Sequence, residues 1–373
     1  MTEEGAEPYR ADVVGSMLRP SYLMRAREKH AAGRLSDAAF KRIEDRAVDE
    51  CVAIQERAGV DVVTDGEMRR NVFASQLVQA TEGFEPVEGN TVDWFTLEGK
   101  KETTAVTVGL VRRIKRRRHL STEEFVYLRS QTDRPIKVTV PSPTMFAYYW
   151  VPGVSDEAYP STEAYLEDVT RILRDEVAEL VRVGATYIQV DAPEFGMLLD
   201  PHQQRWFREK GFAADQMVRE GVDRINRVVD GHPRVTFALH ICRGNDASRY
   251  MAKGSYAALA KEIFPRVHVQ RLLLEYDDDR SGDFEPLREV PEDKVVVLGL
   301  LTTKWHREER ASELVDRIEE ASQYVPLERL ALSTQCGFAS VAQGNTISPE
   351  TQERKLGLVA EVARKVWGPP SRT

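Results

Sequence analysis

Two cysteines and one histidine carry the most specific chemical signal in the sequence. His240 and Cys242 are two residues apart at the end of the β-rich run Val235–Ile241. In an extended strand both side chains project from one face, about 6–7 Å apart at Cα, and can converge on one ion. Glu275 and Cys336 come at the ends of later β-rich runs. One imidazole, two thiolates and at most one carboxylate suit four-coordinate Zn²⁺ better than Mg²⁺ or Ca²⁺.

A zinc ion with one exchangeable coordination position would let this site activate a bound thiol. A free thiol with a pKa of about 8.5 is mostly protonated at neutral pH, whereas a thiol on zinc is deprotonated and becomes a nucleophile. Thiolate and carboxylate ligands make the metal a poor Lewis acid for activating water, so sulfur alkylation is favoured over hydrolysis. The competing interpretation is that Cys242 and Cys336 are ordinary buried thiols and His240 a hydrogen-bonded histidine. Cys51, inside a helical segment, fits that second interpretation.

Eight β-rich runs alternate with helical segments along the chain, and the candidate ligands fall where such runs end. Strands rich in Val, Ile and Leu are typical of a parallel sheet buried on both faces, and eight βα units favour a closed (β/α)₈ TIM barrel over a doubly wound open sheet. The predicted strands are Ala11–Gly15, Val60–Thr64, Ile136–Val140, Tyr187–Val190, Val235–Ile241, Arg271–Glu275, Val295–Leu300 and Leu330–Ser333. The main predicted helices are Asp37–Ala58, Thr162–Val183, Arg219–Val229, Ala311–Tyr324 and Pro349–Val366.

The roughly 70-residue gap between the second and third predicted strands breaks this spacing. We interpret 83–132, which contains the pair Trp94–Phe95, as an insertion arm within a single barrel domain spanning 1–373. The basic run Arg112–Arg118 would by itself suggest a nucleic-acid or phosphate patch. Because it follows the β-rich stretch Thr103–Val111, a solvated hairpin arm or a subunit contact is the favoured interpretation.

Composition excludes several other classes of protein. The 373 residues include 52 Lys and Arg against 60 Asp and Glu, a formal charge of −8, so no overall basic surface favours nucleic acid or anionic lipid. No apolar run reaches the roughly 20 residues of a membrane span, and the N-terminus lacks a secretory signal. Three cysteines are too few for a disulfide scaffold. We expect a cytoplasmic protein with neither nucleic-acid nor membrane partners.

An ordered set of motifs resembles the C-terminal catalytic barrel of the cobalamin-independent methionine synthase family, in a short, single-barrel form. The matching elements are Val14-Gly15-Ser16, Asp65-Gly66-Glu67, Ile188-Gln189-Val190-Asp191-x-Pro193, His240-x-Cys242, Glu275 and Cys336-Gly337. The resemblance implies a (β/α)₈ barrel with zinc on His240, Cys242, Glu275 and Cys336. It also implies that Ser16, Glu67 and Asp191 hold the amino-acid part of homocysteine. Two carboxylates can pair with an ammonium group, and a hydroxyl with backbone amides can donate to a carboxylate.

Three departures from the family pattern bear on the alkyl donor. The chain has no room for the second, N-terminal barrel that helps to bind a polyglutamylated folate, so the donor stays open. Where the family usually has a tryptophan stacking on the pterin, this chain has Tyr148. The aspartate-isoleucine-histidine element after the seventh strand is replaced by Thr302-Thr303-Lys304. Lys304 is therefore the candidate proton donor, with His306 as an outside candidate, and a surface cation is the competing interpretation for both.

The favoured function is a zinc-dependent thiol alkyltransferase that methylates homocysteine to methionine. One alternative is an epoxyalkane:coenzyme M transferase, in which a zinc-bound thiolate opens an epoxide and arginines such as Arg19, Arg69, Arg70 and Arg243 would meet the sulfonate. The other is a non-catalytic or decarboxylase-like barrel. The expected partners are a small-molecule thiol, homocysteine or coenzyme M, and an alkyl donor, with a corrinoid carrier protein or a second copy of the chain left open.

Overall fold

The structure, a computed structural model, describes residues 9–369 of the chain. Its strands are β1 (Thr81–Phe95), β2 (Lys101–Arg116), β3 (Val138–Pro141), β4 (Tyr187–Asp191), β5 (Thr236–Ile241), β6 (Arg271–Glu275), β7 (Val295–Leu301) and β8 (Leu330–Thr334). Its α-helices are α1 (Ser21–Ala31), α2 (Asp37–Ala58), α3 (Ser75–Ala80), α4 (Thr122–Arg129), α5 (Thr162–Arg182), α6 (Pro193–Met197), α7 (Pro201–Glu209), α8 (Ala214–Val229), α9 (Ala260–Ile263), α10 (Ala311–Ser322) and α11 (Pro349–Trp367).

Strands β3 to β8 form one parallel sheet in chain order, with helices between successive strands. Their side chains are almost entirely buried, as the Val- and Leu-rich sequences predict for strands covered on both faces. The register places Asp191 of β4 opposite His240 of β5, and His240 opposite Leu273 of β6. Because all six strands run in the same direction, the polar residues at their carboxyl ends collect at one rim of the sheet.

The first two predicted strands are wrong as strands. The run Ala11–Gly15 makes a single parallel bridge, from Ala11 to Leu332 of β8, and the run Val60–Thr64 makes a single parallel bridge to Ile136. In place of further strand pairing between these two segments, the side chain of Asp61 joins them. Its Oδ2 accepts hydrogen bonds from the backbone amides of Arg10 and Ala11 at 2.7 and 2.8 Å.

These two segments nevertheless join the edges of the six-stranded sheet. The amide of Asp12 donates to Leu332 O, the amide of Asp61 donates to Ala11 O, and the amide of Lys137 donates to Val63 O, each at 2.9 Å. Backbone hydrogen bonds thus lead from β8 through both segments to the residues just before β3. The fold is the α/β barrel that the sequence predicts, but its first two predicted strands are reduced to single β-bridges.

The helices cover the sheet with amphipathic faces. Helix α5 begins at Ser161, whose hydroxyl accepts the amide of Ala164, and it buries Leu166, Val169 and Leu173. Helix α2 is followed by Gly59, which has a φ of +80° and so adopts the left-handed conformation that glycine tolerates best. Among residues 9–369 no helix is both long and apolar enough to cross a membrane.

Between the second bridge segment and β3 the chain forms an antiparallel hairpin of β1 and β2, followed by α4. The predicted insertion arm, 83–132, covers most of this region, and its exact limits stay a prediction. Several arginines of the run 112–118 pair with acidic neighbours: Arg112 with Glu85, Arg113 with Asp168, Arg116 with Asp175 and Arg117 with Glu82. These pairs support the interpretation of the basic run as part of a solvated hairpin.

A buried charge network ties the first segment to the sheet. Asp12 is fully buried and accepts hydrogen bonds from Lys137 Nζ at 2.8 Å and from the Tyr187 hydroxyl at 2.7 Å. Arg271 lies 3.3 Å from the same carboxylate. Burial raises the pKa of Asp12, but the charges of Lys137 and Arg271 and these hydrogen bonds outweigh it and lower the pKa overall.

Replacing Lys137 with methionine should destabilise the protein by about 3–5 kcal/mol, because the buried carboxylate of Asp12 loses its closest charge partner. Urea denaturation would measure the change. The matched control is Lys41→Met, which removes an exposed ion pair with Glu123 at 2.8 Å and should cost no more than about 1 kcal/mol. Equal losses in the two variants would contradict the role given to the Asp12 network.

Candidate active site

Three of the four predicted metal ligands come together at the carboxyl-end rim of the sheet. His240 and Cys242 lie at the end of β5, and Cys336 follows β8. One ligand atom from each residue lies within 4.8 Å of the others, and all three side chains are buried. Zinc ligands occupy such short mutual distances when they share one ion.

The orientation of His240 fits a metal site. Its Nδ1 lies 3.2 Å from the carbonyl oxygen of Leu273, which can only accept, so Nδ1 carries the hydrogen. In the neutral ring Nε2 then offers a lone pair, and this atom is buried without a hydrogen-bond partner among residues 9–369. A backbone carbonyl that fixes the tautomer in this way is the usual outer partner of a metal-bound histidine. One ring nitrogen and two sulfurs are a donor set that fits Zn²⁺.

The pKa values of the two neighbouring thiols are shifted in opposite directions. The closeness of Cys242 and His240 lowers the pKa of Cys336 well below its ordinary value despite burial. The closeness of Cys336, together with burial, raises the pKa of Cys242 well above its ordinary value. The site therefore stabilises thiolate character at Cys336 before any ion binds.

Glu275, the fourth predicted ligand, is buried at the end of β6 but is not part of the converging group. One carboxylate oxygen accepts the amide of Arg243 at 2.9 Å, and the other lies 3.3 Å from Arg280 Nη2. Burial raises the pKa of Glu275, but the positive charges of Lys304, Arg280 and Arg243 outweigh it and lower the pKa. Its role as a ligand stays a prediction.

Lys304 is not a surface cation. It is fully buried after β7, and its ammonium has no hydrogen-bond partner within the described part of the chain. Its positive charge lowers the pKa of Glu275 and of Cys336, and in Cys242 it opposes the larger effects that raise the pKa. The ammonium thus lies near the ligand group, although Lys304 does not line the cavity described below. The outside candidate, His306, is exposed beside Thr351.

Glu67 presents one free carboxylate oxygen at the site. Its Oε1 accepts hydrogen bonds from Thr139 Oγ1 at 2.9 Å and Arg70 Nη1 at 3.2 Å, whereas Oε2 is buried without a partner among the described residues. Arg70 is held from its other side by Glu124 of α4 at 2.9 Å. Burial raises the pKa of Glu67 to about 7. Its backbone has a φ of +56°, a left-handed conformation that is costly for a residue other than glycine and is common at functional sites.

Asp191 and Ser16 complete the predicted acceptor-binding set. Asp191 ends β4, its Oδ1 accepts a hydrogen bond from Gln189 Nε2 at 2.7 Å, and burial raises its pKa to about 6. The hydroxyl of Ser16 accepts the amide of Ala339 at 3.3 Å. A Cβ at position 337 would come within 1.9 Å of that hydroxyl oxygen, so any larger residue there would displace the Ser16 side chain.

One cavity of about 240 Å³ joins these groups. Its wall includes the three metal-ligand candidates together with Ser16, Glu67, Asp191 and Tyr148, so the predicted substrate-binding residues all line it. The ring of Tyr148 packs on Trp206 with centroids 4.8 Å apart, and its hydroxyl lies 2.7 Å from Met197 Sδ. Burial raises the pKa of Tyr148 well above its ordinary value, so this hydroxyl stays protonated.

Sequence reasoning missed the part of the wall that the hairpin supplies. Val92 and Trp94 of β1, and Thr104 and Val106 of β2, line the same cavity. The adjacent aromatic residues of the insertion were a visible signal, but nothing in the sequence indicates that the hairpin folds over this rim. Arg70 was also missed as a support for Glu67, although it stands three residues away.

The comparisons with known proteins agree with this geometry. Residues 10–364 match the family model described as the catalytic domain of cobalamin-independent synthase. An uncharacterized Bacillus subtilis protein, YxjG, is 35% identical over 96% of this chain and 95% of its own length. The methionine synthase of Pyrococcus abyssi is 28% identical over 87% of this chain and 85% of its own length.

Among solved structures, a Listeria monocytogenes protein assigned as a vitamin-B12-independent methionine synthase matches with a TM-score of 0.72 and 27% identity. The match covers 98% of this chain and all of that one. A B12-independent methionine synthase from Shewanella, solved with selenomethionine, matches in fold with a TM-score of 0.71 at 22% identity. The chain therefore belongs to the cobalamin-independent methionine synthase family, and it is a methyltransferase built on that family's catalytic barrel.

Proposed function

We propose that this protein transfers a methyl group from a small-molecule donor to the sulfur of homocysteine, giving methionine, with Zn²⁺ held by His240, Cys242 and Cys336. One observation carries the proposal: the metal-ligand group and two acidic side chains line the same cavity. Family membership supports methyl transfer to homocysteine and favours it over a non-catalytic or decarboxylase-like barrel.

The acidic side chains define how the acceptor would lie. The free Oε2 of Glu67 and the carboxylate of Asp191 accept the ammonium of homocysteine, and the Ser16 hydroxyl donates to its carboxylate. Zn²⁺ would lower the pKa of the acceptor thiol, so that the thiolate is available at neutral pH. The sulfur then attacks the methyl carbon in line, the new S–C bond forms as the bond from that carbon to the donor breaks, and Lys304 supplies a proton to the leaving atom.

The charges in the cavity disfavour coenzyme M as the acceptor. Its sulfonate would need a cation, and in the described part of the chain neither lysine nor arginine lines the cavity. The four arginines that a sulfonate could have used are occupied elsewhere. Arg19 donates to backbone carbonyls, Arg69 pairs with Asp45, Arg70 with Glu67 and Glu124, and Arg243 donates to Gly254 O and Glu275 O.

The donor and any macromolecular partner are proposed only as classes. The donor carries a methyl group that a thiolate can displace, and both a folate and a methylated corrinoid on a carrier protein satisfy that chemistry. A second copy of the chain as a partner stays a proposal, as does a cytoplasmic location.

Purified protein should carry about one zinc ion per chain, because His240, Cys242 and Cys336 form a single ligand group. Cys242→Ser and Cys336→Ser should each lose the metal and the activity, as measured by plasma emission spectrometry on dialysed protein and by methionine formation. The control Cys51→Ala alters a buried thiol of α2, outside the ligand group, and should keep the metal. A metal-free protein that still formed methionine would refute the metal site.

Glu67→Gln and Asp191→Asn should each weaken homocysteine binding by about 10- to 100-fold, because each removes a charge-assisted hydrogen bond to the ammonium. Calorimetry would measure this, with 3-mercaptopropionate, which lacks the ammonium, as the unaffected control ligand. Coenzyme M should bind more weakly than homocysteine, and tighter binding of coenzyme M would overturn the choice of acceptor.

Methionine has no titrating thiol, so its affinity should report the carboxylates alone. Burial raises the pKa of Asp191 to about 6 and that of Glu67 to about 7. Both groups must be ionised to hold the ammonium, so binding should strengthen as the pH rises from about 5 to about 8. This dependence should weaken in Glu67→Gln, and an unchanged profile would argue against a contact with Glu67.

Lys304→Met should lower kcat by about 100-fold while leaving the zinc content and the affinity for homocysteine nearly unchanged. Lys304→Arg keeps the positive charge but is a poor proton donor, so it should not restore the rate. Full rescue by arginine would mean that Lys304 acts through its charge on Cys242, Glu275 and Cys336 instead of through proton transfer.

A further inference from the structure

Two of the candidate metal-ligand sulfurs lie in the wall of the cavity into which a methyl donor must come. Cys242 and Cys336 both line this cavity. Cysteine sulfurs that bind a metal are thiolates, and the thiolate is the form of cysteine that attacks an electrophilic carbon. A site that methylates a bound thiol therefore needs some means of keeping its own ligand sulfurs from being methylated.

A hydroxyl group lies next to one of these sulfurs. Ser340 Oγ is 3.7 Å from Cys336 Sγ, four residues earlier in the chain. The backbone of this loop is fixed by the segment that precedes α3, because the amide of Phe73 donates to Ser340 O at 2.8 Å and Val341 makes an antiparallel bridge to Val72. Contacts between distant parts of the chain thus hold the hydroxyl near the sulfur.

The side-chain amide of Asn245 determines the direction of this hydrogen bond. One of its terminal atoms lies 2.7 Å from Gly337 O, a carbonyl that can only accept, so this atom must be the nitrogen Nδ2. The same Nδ2 lies 3.3 Å from Ser340 Oγ. Because Nδ2 can only donate, the Ser340 oxygen accepts from it. The hydroxyl hydrogen is then left for Cys336 Sγ, which as a thiolate can only accept.

We propose that Ser340, oriented by Asn245, donates a hydrogen bond to the Cys336 thiolate and so protects this ligand from methylation. This inference rests on the proposed zinc-dependent methyl transfer. A hydrogen bond to an anion is charge-assisted and stabilises the negative charge. It lowers the energy of the sulfur lone pair that would attack the methyl carbon, so Cys336 becomes a weaker nucleophile. Outer hydrogen bonds of this kind also hold a ligand in its orientation toward the metal.

The test is the reaction of the zinc-loaded protein with iodomethane. In this reaction a cysteine sulfur forms a bond to the methyl carbon as the C–I bond breaks and iodide leaves. Peptide mass spectrometry would measure the methylation rate of Cys336 relative to that of Cys242, which serves as the internal reference for access of the reagent. Ser340→Ala should raise this ratio about threefold or more, because the Cys336 sulfur loses its hydrogen-bond donor. Ser340→Thr keeps the hydroxyl and should retain the wild-type ratio.

Thr334→Val is the matched control. The hydroxyl of Thr334 donates to the backbone carbonyl of Cys336 at 2.8 Å, so its loss loosens the same loop without removing a hydrogen bond to the sulfur. The methylation ratio should be unchanged in this variant. An equal rise in Thr334→Val and Ser340→Ala would mean that loop mobility controls the reactivity, and it would overturn the inference. A wild-type ratio in Ser340→Ala would overturn it as well.

A second measurement does not depend on reactivity. With cobalt(II) in place of zinc, the thiolate-to-metal charge-transfer band reports the energy of the sulfur lone pairs. This band should move to longer wavelength in Ser340→Ala, because the lone pair rises in energy when the hydrogen bond is lost. Asn245→Leu removes the donor that orients Ser340 and should move the band in the same direction. An unshifted band in both variants would contradict the hydrogen bond, whereas wild-type protein that binds neither metal would overturn the proposed function itself.

Discussion

The closure of the fold and the placement of the site both depend on the buried hydrogen bonds and ion pairs that the Asp12 carboxylate makes. The segment that contains it makes only one bridge to the sheet, so backbone pairing alone holds it weakly. Lys137 beside β3, Tyr187 of β4 and Arg271 of β6 hold the carboxylate from three directions inside the barrel. Ser16 follows four residues later, so this buried network also fixes one wall of the cavity.

Around the cavity, positive charge lies behind the negative groups. Arg70 holds one oxygen of Glu67, Arg280 and the amide of Arg243 hold Glu275, and Lys304 lies near the thiols. The anionic groups keep free atoms at the site, whereas neither lysine nor arginine from residues 9–369 lines the cavity. This arrangement suits a metal ion and an ammonium group, and it suits a sulfonate poorly.

The region between the second and third predicted strands contributes to the site from two directions. Its hairpin places Trp94 and two valines in the cavity wall, and its helix α4 supplies Glu124, which holds Arg70 against Glu67. A region that looks peripheral in the sequence therefore shapes the cavity both through its own side chains and through the support it gives to Glu67.

The sequence by itself determined the alternation of strands and helices, the residue types able to hold zinc, and the family motifs, because periodicity and chemistry are local properties. It correctly placed His240, Cys242 and Cys336 at one rim, since parallel strands end at the same edge. It could not decide that Ala11–Gly15 and Val60–Thr64 stop at single bridges, or that one oxygen of Glu275 accepts the amide of Arg243 while the other lies 3.3 Å from Arg280. Those outcomes, and the position of Trp94 over the cavity, depend on contacts between residues far apart in the chain, so only the tertiary structure decided them.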